Sequence, residues 1–450
     1  MALKKIKSGF FSRGVALARL TAEAATQAAT HVAKEWVATE KDADSKAERL
    51  KVLLSSQTEL VAREFGKLKG SVMKVGQLVS MYGEHLLPPE ANEFLKKLQS
   101  ESPPVEFAQL RKSLVRQLSK ERLDELDISE TPMAAASMGQ VHIATRRSDG
   151  AKIAMKIQYP GVAKAIDTDL QTLKKVLSIA KLLPKGVDTT LIFAEINQML
   201  HQEVDYKKEL ANTIEFHDFF ESDTAVIIPK VFAEYSSSRV ISTEFLEGVA
   251  VDCAEVQELS QARRNRLAAS FFRVFLKELF ELKAMQTDPH FGNYRIRIDT
   301  SSEAVSGQVN DQLILLDFGA VRRFSDLFLS RYRWLFAGAV TANREWIVRG
   351  GLELGFLEKG DPESLFTHFC ELCELFGEPF MVDSYDWGKS DLPKRVIEKG
   401  KSMVFDFKLR APPPEIIFLD RKLGGVFIFL SMLKANFNAK KLIAAYIPQL

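Results

Sequence analysis

Cysteine is scarce: Cys253, Cys370 and Cys373 are the only three in 450 residues. An odd, low count excludes a disulfide-built scaffold and fits a reducing compartment. Cys370 and Cys373 form a single C-x-x-C within "LFTHFCELCELF", whose apolar residues recur at helical spacing. With no second cysteine pair, they read as buried helix positions rather than a zinc or redox centre. Long apolar runs are also lacking. No stretch reaches the roughly 18 to 20 residues that cross a bilayer, and "GGVFIFLSML" (424–433) has the length of a core helix. No segment has the charged start, apolar centre and small-residue cleavage site of a secretory signal. Net charge is nearly absent, 61 basic against 59 acidic residues, which gives no argument for nucleic acid as a partner. Internal repeats and low-complexity tracts are missing as well.

What is present is an ordinary globular composition, 46% apolar and 27% charged. The length predicts two or three domains or one large bilobal unit. Residues 1–50 are Ala-rich and polar; the first 22 carry Lys4, Lys5, Lys7, Arg13 and Arg19, no acid, and Phe10 and Phe11. That pattern fits a basic amphipathic membrane-surface helix or an organellar presequence, and equally a frayed, solvated terminus. "EKDADSKA" (40–47) reads as a charged linker. From 51 to 125 the pattern is helical, with Pro88 and Pro89 at a helix start and Pro103 and Pro104 at its close. Residues 126–250 read as a small mixed-sheet lobe with inserted helices, and 251–450 as a larger helical lobe. In the small lobe, two β-prone runs flank "SDG", a hairpin signal. "VIIPKVFAEYSSSRVISTEFLEG" (226–248) predicts two more strands around a Ser-rich turn. "APPPEI" (411–416) reads as a stiff connector.

Chemistry-bearing residues recur in one order. Lys156, in "AMKIQ", alternates with Ile153, Met155 and Ile157, so a strand would put it opposite the bulky face. Alone it is a solvated edge lysine; with a helix carboxylate to fix it, it could reach phosphate oxygens. Asp317 follows four apolar residues in "LLDFG", where a strand would fix its backbone and Gly319 would turn the chain. A carboxylate so held suits a hard cation. Between them, "TDPHFGNY" (287–294) supplies Asp288 and, five positions on, Asn293. Protein-kinase-type phosphotransferases place a carboxylate and a metal-binding amide as D-x-x-x-x-N on one loop, ahead of the metal-binding Asp. Each part is weak alone; the ordered set is specific. "QEVDYKKELAN" offers Glu203, Asp205 and Glu209 on a predicted helix, and the six-residue gap between the glutamates predicts separate roles. His290 reads as a loop or packing histidine. The glycine-rich loop of ordinary kinases is missing; "AAASMGQV" (134–141) stands in its place, and alanine restricts what glycine allows.

These residues resemble the UbiB-type (AarF-like) atypical kinase family associated with ubiquinone biosynthesis. The resemblance runs from about residue 70 to the end of the chain. "KVGQ" (74–77) resembles that family's K-x-G-Q motif, "AAAS" (134–137) its alanine-rich loop, and "EVD" (203–205) its E-x-D motif. "MQTDPHFGN" and "LLDFGA" resemble its catalytic and metal-binding loops. Gln286 and Thr287 before Asp288, and Phe291, depart from the "HADPHPGN" of many relatives, and the C-terminal membrane spans of bacterial relatives are missing.

The resemblance implies an α+β, bilobal protein-kinase-like fold with an N-terminal helical extension packed over the active site. It implies that ATP and Mg²⁺ are the cofactors. Lys156 contacts phosphate and pairs with Glu209, Asn293 and Asp317 hold the metal, and Asp288 is the catalytic-loop carboxylate. Ala134, Ala135, Ala136 and Ser137 form the nucleotide loop. Lys74 and Gln77 face the nucleotide, with Lys74 near Glu203 and Asp205, filling the groove a protein substrate would use. The expected activity is an ATPase or a lipid- or small-molecule-directed kinase supporting isoprenoid-quinone biosynthesis at a membrane surface. A quinone precursor or lipid is the expected ligand. The expected place is the cytoplasm, the periphery of an inner membrane, or an organellar matrix. The alternatives are a nucleotide-binding pseudokinase scaffold and a choline- or aminoglycoside-kinase-like enzyme.

Overall fold

The computed structural model describes residue 74 and residues 105–136, 138–179, 190–300, 310–407, 410 and 413–447. The amphipathic start, the charged linker, and residues 51–104 apart from Lys74, with both proline pairs, lie outside the described residues. The chain divides into two units: residues up to 210 with 231–245, and residues 211–230 with 246–450. The sequence grouped 126–250 as one lobe, whereas 211–230 and 246–250 belong with the later residues.

The first unit contains helices α1 (Phe107–Gln117) and α2 (Lys120–Asp124). Strands β1 (Leu126–Ile128), β2 (Ala134–Ala135), β3 (Gly139–Arg146) and β4 (Lys152–Gln158) follow, then helices α3 (Val162–Ile179), α4 (Thr190–Glu203) and α5 (Tyr206–Phe220). The division between units falls inside α5. Next come strands β5 (Val226–Ile227) and β6 (Val240–Glu244). All of these strands but β5 form one antiparallel sheet in the order β1-β3-β4-β6, with β2 on β3. The "SDG" hairpin forms: Gly150 takes φ +73°, a conformation glycine adopts without strain. Ile153, Met155 and Ile157 are buried, and Lys156 lies on the opposite face. The buried face packs with Val162, Ile166 and Leu170 of α3 and Ile196 and Leu200 of α4.

Of the two strands expected over 226–248, the second forms as β6 and the first is broken up. Pro229 has no N–H for a ladder, and the run 226–235 splits around it. Val226–Ile227, itself part of the second unit, pairs in parallel with Leu313–Ile314 of that unit. Val231 makes a lone bridge to Thr243, and Ala233–Tyr235 is a turn of 3-10 helix.

The second unit is mostly helical. It runs α6 (Ala254–Gln257), α7 (Gln261–Phe280), β7 (Ala284–Gln286), β8 (Tyr294–Arg297), β9 (Gln312–Leu315) and β10 (Val321–Arg323). Then come α8 (Asp326–Thr341), α9 (Arg344–Glu353), α10 (Glu363–Gly377), β11 (Tyr385–Asp386), α11 (Leu392–Asp406), α12 (Pro414–Met432), β12 (Asn436–Phe437) and α13 (Lys440–Ile443). Side-chain caps start α8 and α9: Ser325 accepts from the Phe328 N–H and Asn343 from the Trp346 N–H. Helix α7 is the hub, burying Leu267, Phe271, Phe275 and Leu279, and Phe271 stacks on Phe429 of α12 with ring centroids 3.8 Å apart. Cys370 and Cys373 are free, buried thiols on α10, and burial pushes both above the ordinary thiol range. The connector reading of 411–416 is corrected: Pro414 opens α12, where its fixed φ suits a first helical residue and no N–H is missed. No helix among the described residues is long and apolar enough to cross a membrane.

Candidate active site

In the first unit the site grows from β4 and the helix pair beside it. Lys156 Nζ donates to Glu209 Oε1 at 2.7 Å, with the lysine side chain 18% exposed and the glutamate 5%. The ammonium also lies 5.4 Å from the ring centroid of Tyr206, one turn before Glu209. The acidic segment is not one helix, as the sequence suggested, but two: α4 ends at Glu203 and α5 starts at Tyr206. Asp205 is exposed and accepts from the Lys208 N–H, acting as a helix cap. The break separates the two glutamates. Glu203 holds buried Lys74 at 3.0 Å, while Glu209 holds Lys156. Gln158 Nε2 donates to Val204 O at 2.9 Å and ties the break to β4.

The alanine segment is a short strand. Ala134 pairs with Val141 and Ala135 with Gln140, and the Ala136 N–H donates to Gly139 O at 2.9 Å. Ser137 and Gln77 lie outside the described residues. Gly139 is required by close approach: a Cβ there would sit 2.4 Å from Ile157 O and 2.9 Å from the Tyr206 hydroxyl.

In the second unit two strand pairs bring the remaining residues together. β7 pairs with β10, and the Thr287 N–H donates to Ala320 O at 2.8 Å, so the segments before Asp288 and after Asp317 run side by side. β8 pairs with β9, and the Leu316 N–H donates to Asn293 O at 3.0 Å. Asn293 and Asp317 therefore sit at neighbouring strand ends. Asn293 Nδ2 donates to the Asp288 carbonyl at 3.2 Å and to Oδ2 at 3.3 Å. Asp317 Oδ1 accepts the Gly319 N–H at 3.0 Å, fixing the turn. His290 is exposed, and its ring accepts the Gly292 N–H. Asn212 donates to Phe318 O at 3.0 Å, and Phe318 packs on Phe216 with centroids 4.6 Å apart.

Sequence reasoning read part of α12 as a core helix but missed what it brings to the site. Arg421 donates to Asp288 Oδ1 at 3.0 Å, so both oxygens of that carboxylate are held. Lys422, fully buried, lies 3.1 Å from Glu278 of α7 and 3.3 Å from Gln286 Oε1. Gln286 donates to Asp288 O at 2.7 Å and accepts from the Tyr294 hydroxyl at 2.9 Å. Burial pushes that hydroxyl's pKa up to about 12, so it stays a donor. Burial also raises the Glu278 carboxyl, with Lys422 offsetting part of the rise. A Cβ on Gly425 would lie 2.1 Å from Pro289 Cβ. The signal was "RKLGG", 133 residues after Asp288 and unreadable without the fold that pairs them.

Among the described residues no three His, Cys, Asp or Glu side chains gather as a metal centre. Asn293 and Asp317 offer one amide and one carboxylate oxygen donor. That donor set suits Mg²⁺, which takes few protein oxygens and completes its shell with phosphate and water.

A lysine on a strand held by a helix carboxylate, and an Asp/Asn loop paired to a strand-end Asp, define a protein-kinase-like domain. It is an atypical one, with alanines where a glycine loop would be and a lysine–glutamate bridge from the prefix. Residues 97–350 match the ABC1 atypical kinase-like domain, and the chain belongs to that family, the UbiB/AarF type. It is 31% identical to "Atypical kinase COQ8, mitochondrial" of Saccharomyces cerevisiae, over 87% of this chain and 76% of that one. It is also 31% identical to "Atypical kinase COQ8B, mitochondrial" of Rattus norvegicus, over 87% and 72%. For the Schizosaccharomyces pombe COQ8 the figures are 30%, 89% and 64%. A solved complex of Rv3197 with erythromycin from Mycobacterium tuberculosis is similar in fold. Its TM-score is 0.61 at 25% identity, covering 90% of this chain and 98% of that one.

Proposed function

We propose that this chain is an ATP- and Mg²⁺-dependent atypical kinase or ATPase that supports ubiquinone biosynthesis at a membrane surface, acting on a lipid or small molecule. The reading rests on one observation above others: Asn293 and Asp317 sit at neighbouring strand ends, with Asp288 anchored to Asn293. Lys156, oriented by Glu209, supplies a fixed positive charge to phosphate oxygens. Asn293 and Asp317 hold Mg²⁺, which when bound neutralises charge on the transferring phosphoryl group. Asp288, its carboxylate held by Arg421 and Asn293, orients the attacking hydroxyl or water. Ala134, Ala135, Ala136 and Ser137 cover the nucleotide. Lys74 and Gln77, with Glu203 and Asp205, take the place of a protein substrate. Residues 51–125 serve as the helical extension, and residues 1–50 carry the membrane contact. The mitochondrial relatives favour an organellar matrix or its inner-membrane periphery.

The test is ATP hydrolysis with Mg²⁺, with and without anionic liposomes, in wild type and Asp317→Asn. Loss of turnover in the variant is expected; equal turnover sinks the reading. Quinone profiling of a knockout strain, rescued by wild type and not by Asp317→Asn, tests the pathway. One observation favours a second reading, a nucleotide-binding scaffold: both Asp288 oxygens are already engaged. Sustained turnover that depends on Asp288 eliminates it.

A further inference from the structure

Glu278 and Lys422 are a charged pair at 0% and 2% exposure in the aromatic core of the second unit, with the Lys422 ammonium 5.9 Å from the ring centroids of both Phe271 and Tyr294. Such a pair is a poor way to stabilise a fold. Taking two ions out of water costs about as much as their attraction returns, and two apolar side chains of similar volume serve packing as well. The contacts beyond the pair supply a reason other than stability.

An ammonium can only donate, so the Gln286 atom facing Lys422 at 3.3 Å is the amide oxygen. The Tyr294 hydroxyl approaches the same oxygen at 2.9 Å. With two donors on its oxygen, the amide cannot flip, and its Nε2 must point the other way. There it meets the Asp288 carbonyl at 2.7 Å. The polarity runs in one direction: Glu278 holds Lys422 by an ion pair at 3.1 Å in which neither carboxylate oxygen is hydrogen-bonded, Lys422 donates to the amide oxygen, and the amide donates to the backbone carbonyl of Asp288. Helix α12 thus reaches Asp288 twice, through Arg421 on the carboxylate and through Lys422 and Gln286 on the carbonyl.

We propose that Glu278 and Lys422 are positioning residues, which set the Gln286 amide and through it the backbone orientation of Asp288. The inference deepens the phosphotransfer reading, since it concerns how that loop's carboxylate is aimed. A purely structural pair makes a different prediction, and the full-length chain can separate the two. Lys422→Met leaves Glu278 buried without its cation and lowers the melting temperature. The double variant Glu278→Leu/Lys422→Met removes both charges and restores it. In the double variant, kcat for ATP hydrolysis stays at least about tenfold down while KM for ATP moves less than about twofold. Amide hydrogen exchange at 287–293 quickens about tenfold or more, with α7 amides unchanged. Recovery of melting temperature, kcat and loop protection together in the double variant overturns the proposal and leaves a packing role only. Should wild type hydrolyse no more ATP than Asp317→Asn, the phosphotransfer reading fails by itself. Loop exchange then decides this inference: quickened exchange supports it and unchanged exchange overturns it.

Discussion

Replacing Glu209 by glutamine removes one charge and almost no volume, so its effect isolates the bridge to Lys156. At 2.7 Å the gross attraction is about 6 kcal/mol with an effective dielectric near 20. Relief of the carboxylate's desolvation cancels much of that. Breaking a fully buried pair costs about 3–5 kcal/mol; here the Lys156 side chain is 18% exposed and can be partly hydrated. We therefore expect Glu209→Gln to cost about 2–3 kcal/mol. The reverse change, Lys156→Met, strands the more deeply buried partner, at 5% exposure, and costs more, about 3–5 kcal/mol. Locally, the amides of 152–158 exchange faster in both variants. Because the ammonium then loses its carboxylate anchor, MgATP affinity by titration calorimetry falls about tenfold in Glu209→Gln, the equivalent of about 1.4 kcal/mol. Asp127→Asn, at an exposed position on β1, serves as the control and leaves both readouts unchanged. If Glu209→Gln keeps wild-type exchange in β4 and binds MgATP within twofold of wild type, the argument that this bridge fixes the lysine is refuted.

Other expectations follow from close contacts and buried groups. Gly139→Ala places a methyl 2.4 Å from a backbone oxygen that cannot swing aside, so it should cost about 1–3 kcal/mol and loosen β3 against β4, seen by thermal melting and hydrogen exchange. Gly425→Ala drives a methyl into the Pro289 ring beside Asp288; kcat should fall more than nucleotide affinity, and equal kcat would count against α12 bracing the loop. His142 is buried, its Nδ1–H donating to Ser129 O at 2.8 Å, and burial depresses its pKa. The unfolded chain protonates this histidine near pH 6.5 while the native state resists, so the unfolded state binds more protons below that point and stability falls as pH drops. A melting-temperature series from about pH 7.5 to 5.5 should slope downward in wild type and less steeply in His142→Gln; equal slopes would remove His142 from the cause.

By itself the sequence determined the pieces whose logic is local. The hairpin at "SDG", the alternation around Lys156, the buried helical C-x-x-C and the D-x-x-x-x-N spacing of Asp288 and Asn293 each depend on a few neighbouring residues. Periodicity and turn chemistry report such neighbourhoods directly. Where sequence reasoning went astray, a distant partner had overruled a local preference. Val226–Ile227 pairs with a strand 87 positions later rather than with the strand beyond the Ser-rich turn, with Pro229 interrupting the run. The acidic segment broke into two helices, with Asp205 capping the second, so its two glutamates hold different lysines. Only the tertiary structure could supply Arg421, Lys422 and Gly425, which lie about 130 residues from the loop they brace. No periodicity links a helix face to a loop so far away. Such contacts exist only once Phe271, Phe429 and their neighbours have packed α7 and α12 together and carried those side chains to Asp288.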